Sequence, residues 1–116
     1  MMEQWTTVCS QNDLIPYLGV CALVAEKQVA LFQVGDSLYA IDNYDPVSRA
    51  NVLSRGIVGD LKGELVVASP VYKQHYSLLT GQCQEEPEIK LSVYPVRVLD
   101  GMVQVSPNPD TRAQAA

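Results

Sequence analysis

Cysteine and histidine are the residues of this chain that could bind a transition metal or act as nucleophiles. The sequence contains three cysteines, Cys9, Cys21 and Cys83, and a single histidine, His75. A four-cysteine iron–sulfur site needs more thiolates than the chain has. A zinc site of three cysteines and one histidine would use all of these residues, although no two cysteines have the spacing of a chelating pair. These counts argue against a metal site, and we expect Cys9 and Cys21 to be small buried residues of apolar strands.

Other catalytic arrangements have equally little support in the sequence. His75 is the one imidazole that could act as a general base, but no nucleophile or orienting carboxylate is evident beside it. It lies between Tyr72 and Tyr76 in a predicted loop, where a surface or packing role is the simpler interpretation. An acidic segment could bind a cation or a basic partner, although a solvated loop is the default expectation for it: Glu85, Glu86 and Glu88.

The charge and hydropathy of the chain exclude several classes of partner. Its 116 residues include 13 acidic and 8 basic side chains, which gives a formal net charge of −5. An acidic chain with scattered basic residues is poorly suited to binding nucleic acid or an anionic membrane. The longest apolar run, residues 17–25, is shorter than the about 20 residues of a membrane-spanning helix, and no export signal precedes it. An odd number of cysteines is not typical of a disulfide framework, so we expect a cytoplasmic protein.

Short apolar runs separated by turn residues predict β-strands throughout the chain. A Gly-Asp pair at 35–36 and an Asp-Gly pair at 100–101 predict β-hairpins, the second with a type I′ turn. Helix is expected at one turn near residues 10–15, with Ser10 as its cap, and residues 43–55 are expected to form a loop. The pattern predicts an all-β sandwich or small barrel of eight or nine short antiparallel strands with little helix. The predicted strands are residues 5–9, 20–24, 29–34, 37–42, 64–68, 76–79, 94–99 and 102–105.

The length of the chain fits a single domain, which we expect to occupy residues 1–106. Residues 107–116 contain two prolines, no large apolar residue and an alanine-rich end. This composition predicts a mobile C-terminal tail.

Across residues 5–106 the sequence resembles a Rieske-type ferredoxin domain. The order and spacing of four segments carry the resemblance: Val29–Asn43, Leu53–Gly56, Ser69–Pro70 with Tyr76–Gly81, and Tyr94–Val105. In a Rieske domain the first is the hairpin before one cluster loop, the second follows that loop, the third frames the other cluster loop, and the fourth is the closing hairpin. The resemblance therefore implies a Rieske-like fold.

The residues that would bind a Rieske cluster are all replaced. The family uses Cys-x-His in the first loop and Cys-x-x-His in the second. The resemblance aligns these ligands with Asp45, Val47, Ser69 and Tyr72. The prolines that commonly follow the cysteines remain, as Pro46 and Pro70. We therefore expect no cofactor on this chain. We also expect the side chains of Tyr72, Tyr76 and Val47 to fill part of the space that the cluster would occupy. Because of this packing role, Tyr72→Ala should lower the melting temperature.

A small, acidic, cluster-free Rieske-like domain resembles the family of small subunits of bacterial NAD(P)H-dependent nitrite reductases. In that family the large subunit carries FAD, the nicotinamide site, sirohaem and an iron–sulfur cluster, and the complex reduces nitrite to ammonium. The resemblance implies a non-catalytic subunit in nitrate assimilation, with the large subunit as its partner and no catalytic, cofactor-binding or metal-binding residue of its own.

Rieske domains meet their partners at the cluster end, so the resemblance also implies a docking surface there. The candidate interface residues are Asp45, Pro46, Arg49, Ser69, Pro70, Tyr72, Lys73 and His75. Two alternatives stay open at this point. One is an electron-transfer module with an unusual cluster and another partner, and the other is a stand-alone binding domain that uses the space of the lost cluster.

Overall fold

The chain folds into short antiparallel strands, which confirms the all-β architecture that the sequence predicts. The computed structural model describes residues 4–71 and 73–109. Two 3₁₀-helical turns, Gln11–Asp13 and Leu53–Arg55, are the helical elements of these residues. The strands of the described residues are β1 Thr6–Ser10, β2 Val20–Val24, β3 Lys27–Val34, β4 Ser37–Asp42, β5 Tyr44–Asp45, β6 Ala50–Asn51, β7 Ile57–Leu61, β8 Glu64–Ala68, β9 His75–Ser77, β10 Val93–Tyr94, β11 Val96–Leu99 and β12 Met102–Val105.

The strands form four sheets, and one of them lies at the centre of the core. Their strand orders are β1-β12-β11, β10-β4-β3-β2, β5-β6 and β7-β8-β9. In the central strand β3, residues 29–32 are fully buried because both faces of the four-stranded sheet are covered. Ala30 and Phe32 pack with residues of the β7-β8-β9 sheet, and Val29 and Leu31 pack with residues of the β1-β12-β11 sheet.

Local turn signals in the sequence were reliable. Asp100 and Gly101 both have positive φ angles, of 52° and 77°, as a type I′ hairpin requires. The hydroxyl of Ser10 accepts a hydrogen bond from the backbone N–H of Asn12 and caps the first 3₁₀ turn. Both predictions are confirmed.

Three predictions about individual elements were wrong. Residues 57–61 form strand β7, which the sequence pattern missed because its glycine and aspartate are poor strand formers. Residues 43–55 hold two short strands and a second 3₁₀ turn instead of a plain loop. The predicted strand 94–99 is divided at Pro95, which has no N–H to donate to a strand ladder. As a result β10 pairs with β4, whereas β11 pairs with β12.

Part of the C-terminal prediction lies outside the described residues. The structure describes residues 107–109 of the predicted mobile tail, and residues 110–116 are outside it. The prediction of one domain over residues 1–106 stays a prediction. Within the described ranges, no helix is long and apolar enough to span a membrane.

Candidate functional site

A buried carboxylate, that of Asp45, occupies the first of the cluster-ligand positions that the resemblance assigns. The residue ends β5 and has no exposed surface. Its Oδ2 accepts hydrogen bonds from the hydroxyls of Ser69 at 2.5 Å and Ser48 at 2.9 Å. Its Oδ1 accepts hydrogen bonds from the Tyr76 hydroxyl at 2.7 Å and the Val47 backbone N–H at 3.0 Å. The carboxylate is therefore fully satisfied by groups from three separate segments of the chain.

These hydrogen bonds keep the Asp45 carboxylate charged. Burial by itself would raise the pKa of Asp45, but the hydrogen bonds from Ser69, Tyr76, Ser48 and the Val47 backbone lower it overall. The pKa of Tyr76 is raised, first by burial and then by its hydrogen bond to Asp45. At neutral pH the phenol is thus a protonated donor and the carboxylate an ionised acceptor.

The two former cluster loops, residues 45–49 and 69–73, are closed by the same backbone hydrogen bond. In the first loop the carbonyl of Asp45 accepts the N–H of Arg49 at 2.7 Å, and in the second the carbonyl of Ser69 accepts the N–H of Lys73 at 3.1 Å. Arg49 and Lys73 have left-handed φ angles of 60° and 61°. In each loop the backbone N–H of the fifth residue therefore bonds to the carbonyl of the first.

The side-chain hydrogen bonds of the two former cluster loops are also alike. The Val47 N–H donates to Oδ1 of Asp45 at 3.0 Å, and the Val71 N–H donates to the hydroxyl of Ser69 at 3.4 Å. The first residue of each loop thus holds the third residue, and the Ser69–Asp45 hydrogen bond joins the two loops. Since these bonds use Asp and Ser oxygens, the loops keep their shape without a metal.

The side chains at the ligand positions do not fit a Rieske cluster. Asp45 and Ser69 are in contact, but they offer a carboxylate and a hydroxyl, already hydrogen-bonded, where the cluster needs thiolates. The half-buried Val47 offers only hydrocarbon, and Tyr72 lies outside the described residues. Among the described residues no group of three or more His, Cys, Asp or Glu side chains could hold a metal ion.

The position of His75 differs from the predicted loop. It is the first residue of β9, and its Nδ1 lies 2.6 Å from Oε2 of Glu85. The His75 backbone N–H also donates to Oε1 of Glu85 at 2.8 Å. Burial would raise the pKa of Glu85, but these hydrogen bonds lower it overall. Glu85 is therefore part of the structure rather than only solvated, which sequence reasoning missed because ten residues separate it from His75.

No activated nucleophile accompanies this histidine–glutamate pair in the part of the chain that is described. The Cys83 thiol lies 3.7 Å from Oε1 of Glu85, and it is fully buried. Burial raises the pKa of Cys83, so the thiol stays protonated and is a poor nucleophile. The arrangement has a structural role and holds β9 to the segment that contains residues 83–85.

The expectation that Cys21 is buried was wrong. Cys21 is exposed, whereas Cys9 is half-buried and Cys83 is buried. The Cys21 side chain lies on the edge strand β2, and its sulfur contacts Oε1 of Gln28 and Nδ2 of Asn43, both at 3.5 Å. An apolar run in the sequence predicts a strand, but it does not indicate which residues of that strand the core covers.

Asn43 is a second buried polar residue that the sequence did not single out. Its side chain donates to Oε1 of Gln28 at 3.1 Å and accepts from the Ser54 N–H at 2.7 Å. Its carbonyl accepts from the Leu53 N–H at 3.1 Å. These bonds tie the start of the first loop to the second 3₁₀ turn. An asparagine between two strands is the only sequence signal, and it is too common to identify the role.

The comparisons with known proteins agree with this geometry. A family profile described as a Rieske-like [2Fe-2S] domain matches residues 4–106. The NADH nitrite reductase small subunit of Escherichia coli strain K12 is 43% identical over 106 residues, which cover 90% of this chain and 98% of that protein. The chain belongs to the family of nitrite reductase small subunits. It is thus related to a subunit of an oxidoreductase complex.

Solved structures of the nitrite reductase small-subunit family share this fold. The solution structure of the nitrite reductase [NAD(P)H] small subunit from Erwinia carotovora matches with a TM-score of 0.77 and 45% identity, over 94% of this chain and 85% of that chain. The ferredoxin of carbazole 1,9a-dioxygenase from Nocardioides aromaticivorans IC177 matches with a TM-score of 0.80 at 23% identity, over 90% of this chain and 99% of that chain. The second likeness shows the fold alone.

A small-subunit sequence also matches inside a longer relative. The nitrite reductase [NAD(P)H] large subunit of Klebsiella oxytoca is 43% identical over 101 residues, which are 87% of this chain and 11% of that protein. In that relative, sequence of the small-subunit family is therefore one segment of a much longer polypeptide.

Two candidate interface residues of this small-subunit family member are not accessible. Asp45 is 0% exposed and Ser69 is 1% exposed, so neither side chain can contact a partner directly. In this structure the two side chains fix the loops from inside through their mutual hydrogen bond. The remaining described candidates reach the surface: Pro46, Arg49, Pro70 and Lys73 are exposed, and His75 is partly exposed.

Proposed function

We propose that this chain is the non-catalytic small subunit of a cytoplasmic NADH-dependent nitrite reductase, which reduces nitrite to ammonium in nitrate assimilation. The large subunit of the complex would carry FAD, the nicotinamide site, sirohaem and an iron–sulfur cluster. The small subunit would dock on it and support its assembly or its activity. The observation that carries the proposal is the hydrogen-bond network of Asp45, which fixes both former cluster loops without a redox group.

The chemistry of the former cluster site supports a contact role. A Rieske domain that moves electrons needs two thiolates and two imidazoles on its irons. Here the described ligand positions hold a carboxylate, a valine side chain and a hydroxyl. A family member that keeps the fold and the loops, but not the ligands, can act on a partner through its surface.

The Klebsiella relative supports the choice of partner. Sequence of the small-subunit family occurs there within a protein named as a nitrite reductase large subunit. Segments that are joined in one protein and separate in another often act together. We therefore assign the large subunit as the partner of this chain.

We place the contact surface at the end of the molecule formed by the two former cluster loops. Pro46, Arg49, Pro70 and Lys73 are exposed there, and His75 is partly exposed. Tyr72 belongs to the same proposed surface but lies outside the described residues. The hydrogen bond between Ser69 and Asp45 holds both loops in a fixed relative position, which favours a preformed binding surface.

The test compares nitrite consumption with NADH by the purified large subunit, with and without this chain. We expect the chain to raise the rate or to lengthen the active lifetime of the large subunit. A double variant, Pro46→Glu with Pro70→Glu, should lose most of that effect because it places carboxylates on the proposed contact. The matched control is Leu99→Glu, at a 48% exposed apolar residue of the β11–β12 hairpin.

Two results would overturn the proposal. The first is that the folded wild-type chain neither associates with the large subunit nor changes its rate or lifetime. The second is stoichiometric iron in the chain after anaerobic purification, which would make it an electron carrier. If the wild type acts but the Pro46→Glu/Pro70→Glu variant acts equally well, only the placement of the contact is wrong.

A further inference from the structure

The two former cluster loops each end in a basic residue whose backbone is left-handed. Arg49 closes the first loop with a φ of 60°, and Lys73 closes the second with a φ of 61°. L-residues with a Cβ atom avoid this region, and glycine is the residue that adopts it most easily. Other described residues with a Cβ atom, such as Tyr17 and Ala25, also have positive φ, so the feature that sets the two loops apart is a basic side chain at the same closing position of both.

A third turn in the same chain serves as an internal comparison. The Ser77 carbonyl accepts the N–H of Gly81 at 2.8 Å, and the Ser77 hydroxyl accepts the N–H of Leu79 at 3.1 Å. This is the hydrogen-bond pattern of the two loops, and its fifth residue also has a positive φ, of 81°. At this buried turn the sequence uses glycine, whereas at the two exposed loops it uses Arg49 and Lys73.

The basic pair, Arg49 and Lys73, lies at one end of the molecule. Three hydrogen bonds connect the two residues: Arg49 N–H to the Asp45 carbonyl, Ser69 hydroxyl to the Asp45 carboxylate, and Lys73 N–H to the Ser69 carbonyl. Both side chains are exposed. In the part of the chain that is described, no carboxylate lies within 4.0 Å of either one.

Exposed apolar residues belong to the same two loops as the basic pair. Pro46 and Pro70 are exposed directly after the first residue of each loop, and Val71 is 48% exposed. The chain as a whole carries a formal net charge of −5. The two former cluster loops thus present two cationic side chains and exposed apolar residues on an acidic protein.

We propose that the basic pair recognises carboxylates that border an apolar patch on the large subunit. The apolar residues bury against the patch, and the opposite charges steer the basic surface of this chain toward the acidic rim of that patch. This inference rests on the proposed function, since the large subunit is the assumed partner. It goes further by assigning the charge of the partner surface and the two residues that recognise it.

The test measures the association of the chain with immobilised large subunit at several salt concentrations. The variant Arg49→Gly/Lys73→Gly removes both charges and keeps residues that favour the left-handed backbone. We expect its association rate constant to fall about tenfold at low salt, with a weaker salt dependence than wild type. Charge reversal, Arg49→Glu/Lys73→Glu, should slow association further.

Lys62→Gly is the control for the loss of one positive charge at a left-handed residue outside the basic pair. Lys62 is exposed and has a φ of 53°, so the substitution also removes a positive charge from a left-handed residue. It precedes strand β8, whereas Ser69 and the second loop follow that strand, so the two turns lie at opposite ends of β8. We expect Lys62→Gly to associate at the wild-type rate.

Each outcome separates this inference from the proposed function. If wild type binds and the double-glycine variant binds with the same rate and the same salt dependence, the basic pair has no role and the inference is wrong, while the proposed function stands. An equal loss in Lys62→Gly would mean that net charge alone matters, and it would also overturn the inference. Failure of folded wild type to bind at any salt concentration would overturn both.

Circular dichroism of every variant identifies any that are unfolded. The double variant Arg49→Lys/Lys73→Arg keeps both charges and should associate like wild type.

Discussion

The hydroxyl of Ser69 donates a hydrogen bond to the Asp45 carboxylate at 2.5 Å, across 24 residues of sequence. These two residues stand where the resemblance to Rieske domains places the two cysteine ligands. In such a domain the two positions are joined through an iron, and here they are joined through a hydrogen bond. The Ser69–Asp45 hydrogen bond thus joins the two loops at the positions where a Rieske cluster would join them.

The first prediction concerns the free energy of unfolding. Asp45→Ala leaves the hydroxyls of Ser48, Ser69 and Tyr76 without their common acceptor in a buried site, and it should destabilise the chain by about 3 kcal/mol. Asp45→Asn keeps the shape and one acceptor oxygen, so its loss should be smaller. Urea unfolding followed by circular dichroism measures both variants. The control is Glu88→Ala, at an exposed residue, which should change the unfolding free energy by less than about 0.5 kcal/mol. If Asp45→Ala changed it by as little, the proposed role of the network would be contradicted.

The second prediction concerns pH. Hydrogen bonding lowers the pKa of Asp45 in the folded chain, so the folded state binds a proton less readily than the unfolded state. The stabilisation is fully present above the unfolded pKa of about 4, and it is lost as pH falls through the lower folded pKa. Unfolding free energies at pH 7, 4 and 3 should therefore fall more steeply for wild type than for Asp45→Asn.

Glu85 gives an internal comparison for that pH series. Its pKa is also lowered, through hydrogen bonds from His75, but its side chain is 41% exposed. Because solvent screens an exposed pair, Glu85→Gln should flatten the pH dependence less than Asp45→Asn does. Parallel curves for wild type and Asp45→Asn would show that the carboxylate is not the group that titrates.

The third prediction concerns the Tyr76 hydroxyl. Tyr76→Phe removes a donor to Oδ1 of Asp45 and should cost about 2 kcal/mol, the usual range for a hydrogen bond to a charged group. Added to Asp45→Ala, the same substitution should cost much less, because its acceptor is already absent. A double-mutant cycle by chemical unfolding measures the difference. Tyr39→Phe, at a half-buried tyrosine outside the network, is the control, and additive costs would show that the two residues are not coupled.

The fourth prediction compares two glycines with positive φ. Gly81 has a φ of 81°, and a Cβ atom there would lie 2.2 Å from the Leu91 carbonyl oxygen. Gly35 has a φ of 60°, and a Cβ atom there would have no atom within 4 Å. Gly35→Ala should cost about 1 kcal/mol for the backbone conformation, and Gly81→Ala should cost at least about 3 kcal/mol because the backbone must also move. Thermal unfolding would contradict this prediction if the two variants melted at the same temperature.

The sequence by itself determined the fold class and the local turns. The apolar run 29–34 and the pairs Gly35-Asp36 and Asp100-Gly101 carry their own conformational preferences, so the hairpins follow from neighbouring residues alone. The order of the Rieske-like segments also determined the family and the loss of the four ligands, because a ligand position is a residue type at a given spacing.

Only the tertiary structure decided which contacts join the two loops. Two of the donors to Asp45, Ser69 and Tyr76, lie 24 and 31 positions away, and spacing of that size gives no local signal in the sequence. The same reason explains why Glu85 was missed as the partner of His75 and why Cys21 was expected to be buried. The burial of a residue and its hydrogen-bond partners depend on which segments the sheets bring together. Asp45 was therefore predicted as a surface residue from the sequence, although it is the most buried polar residue of the site.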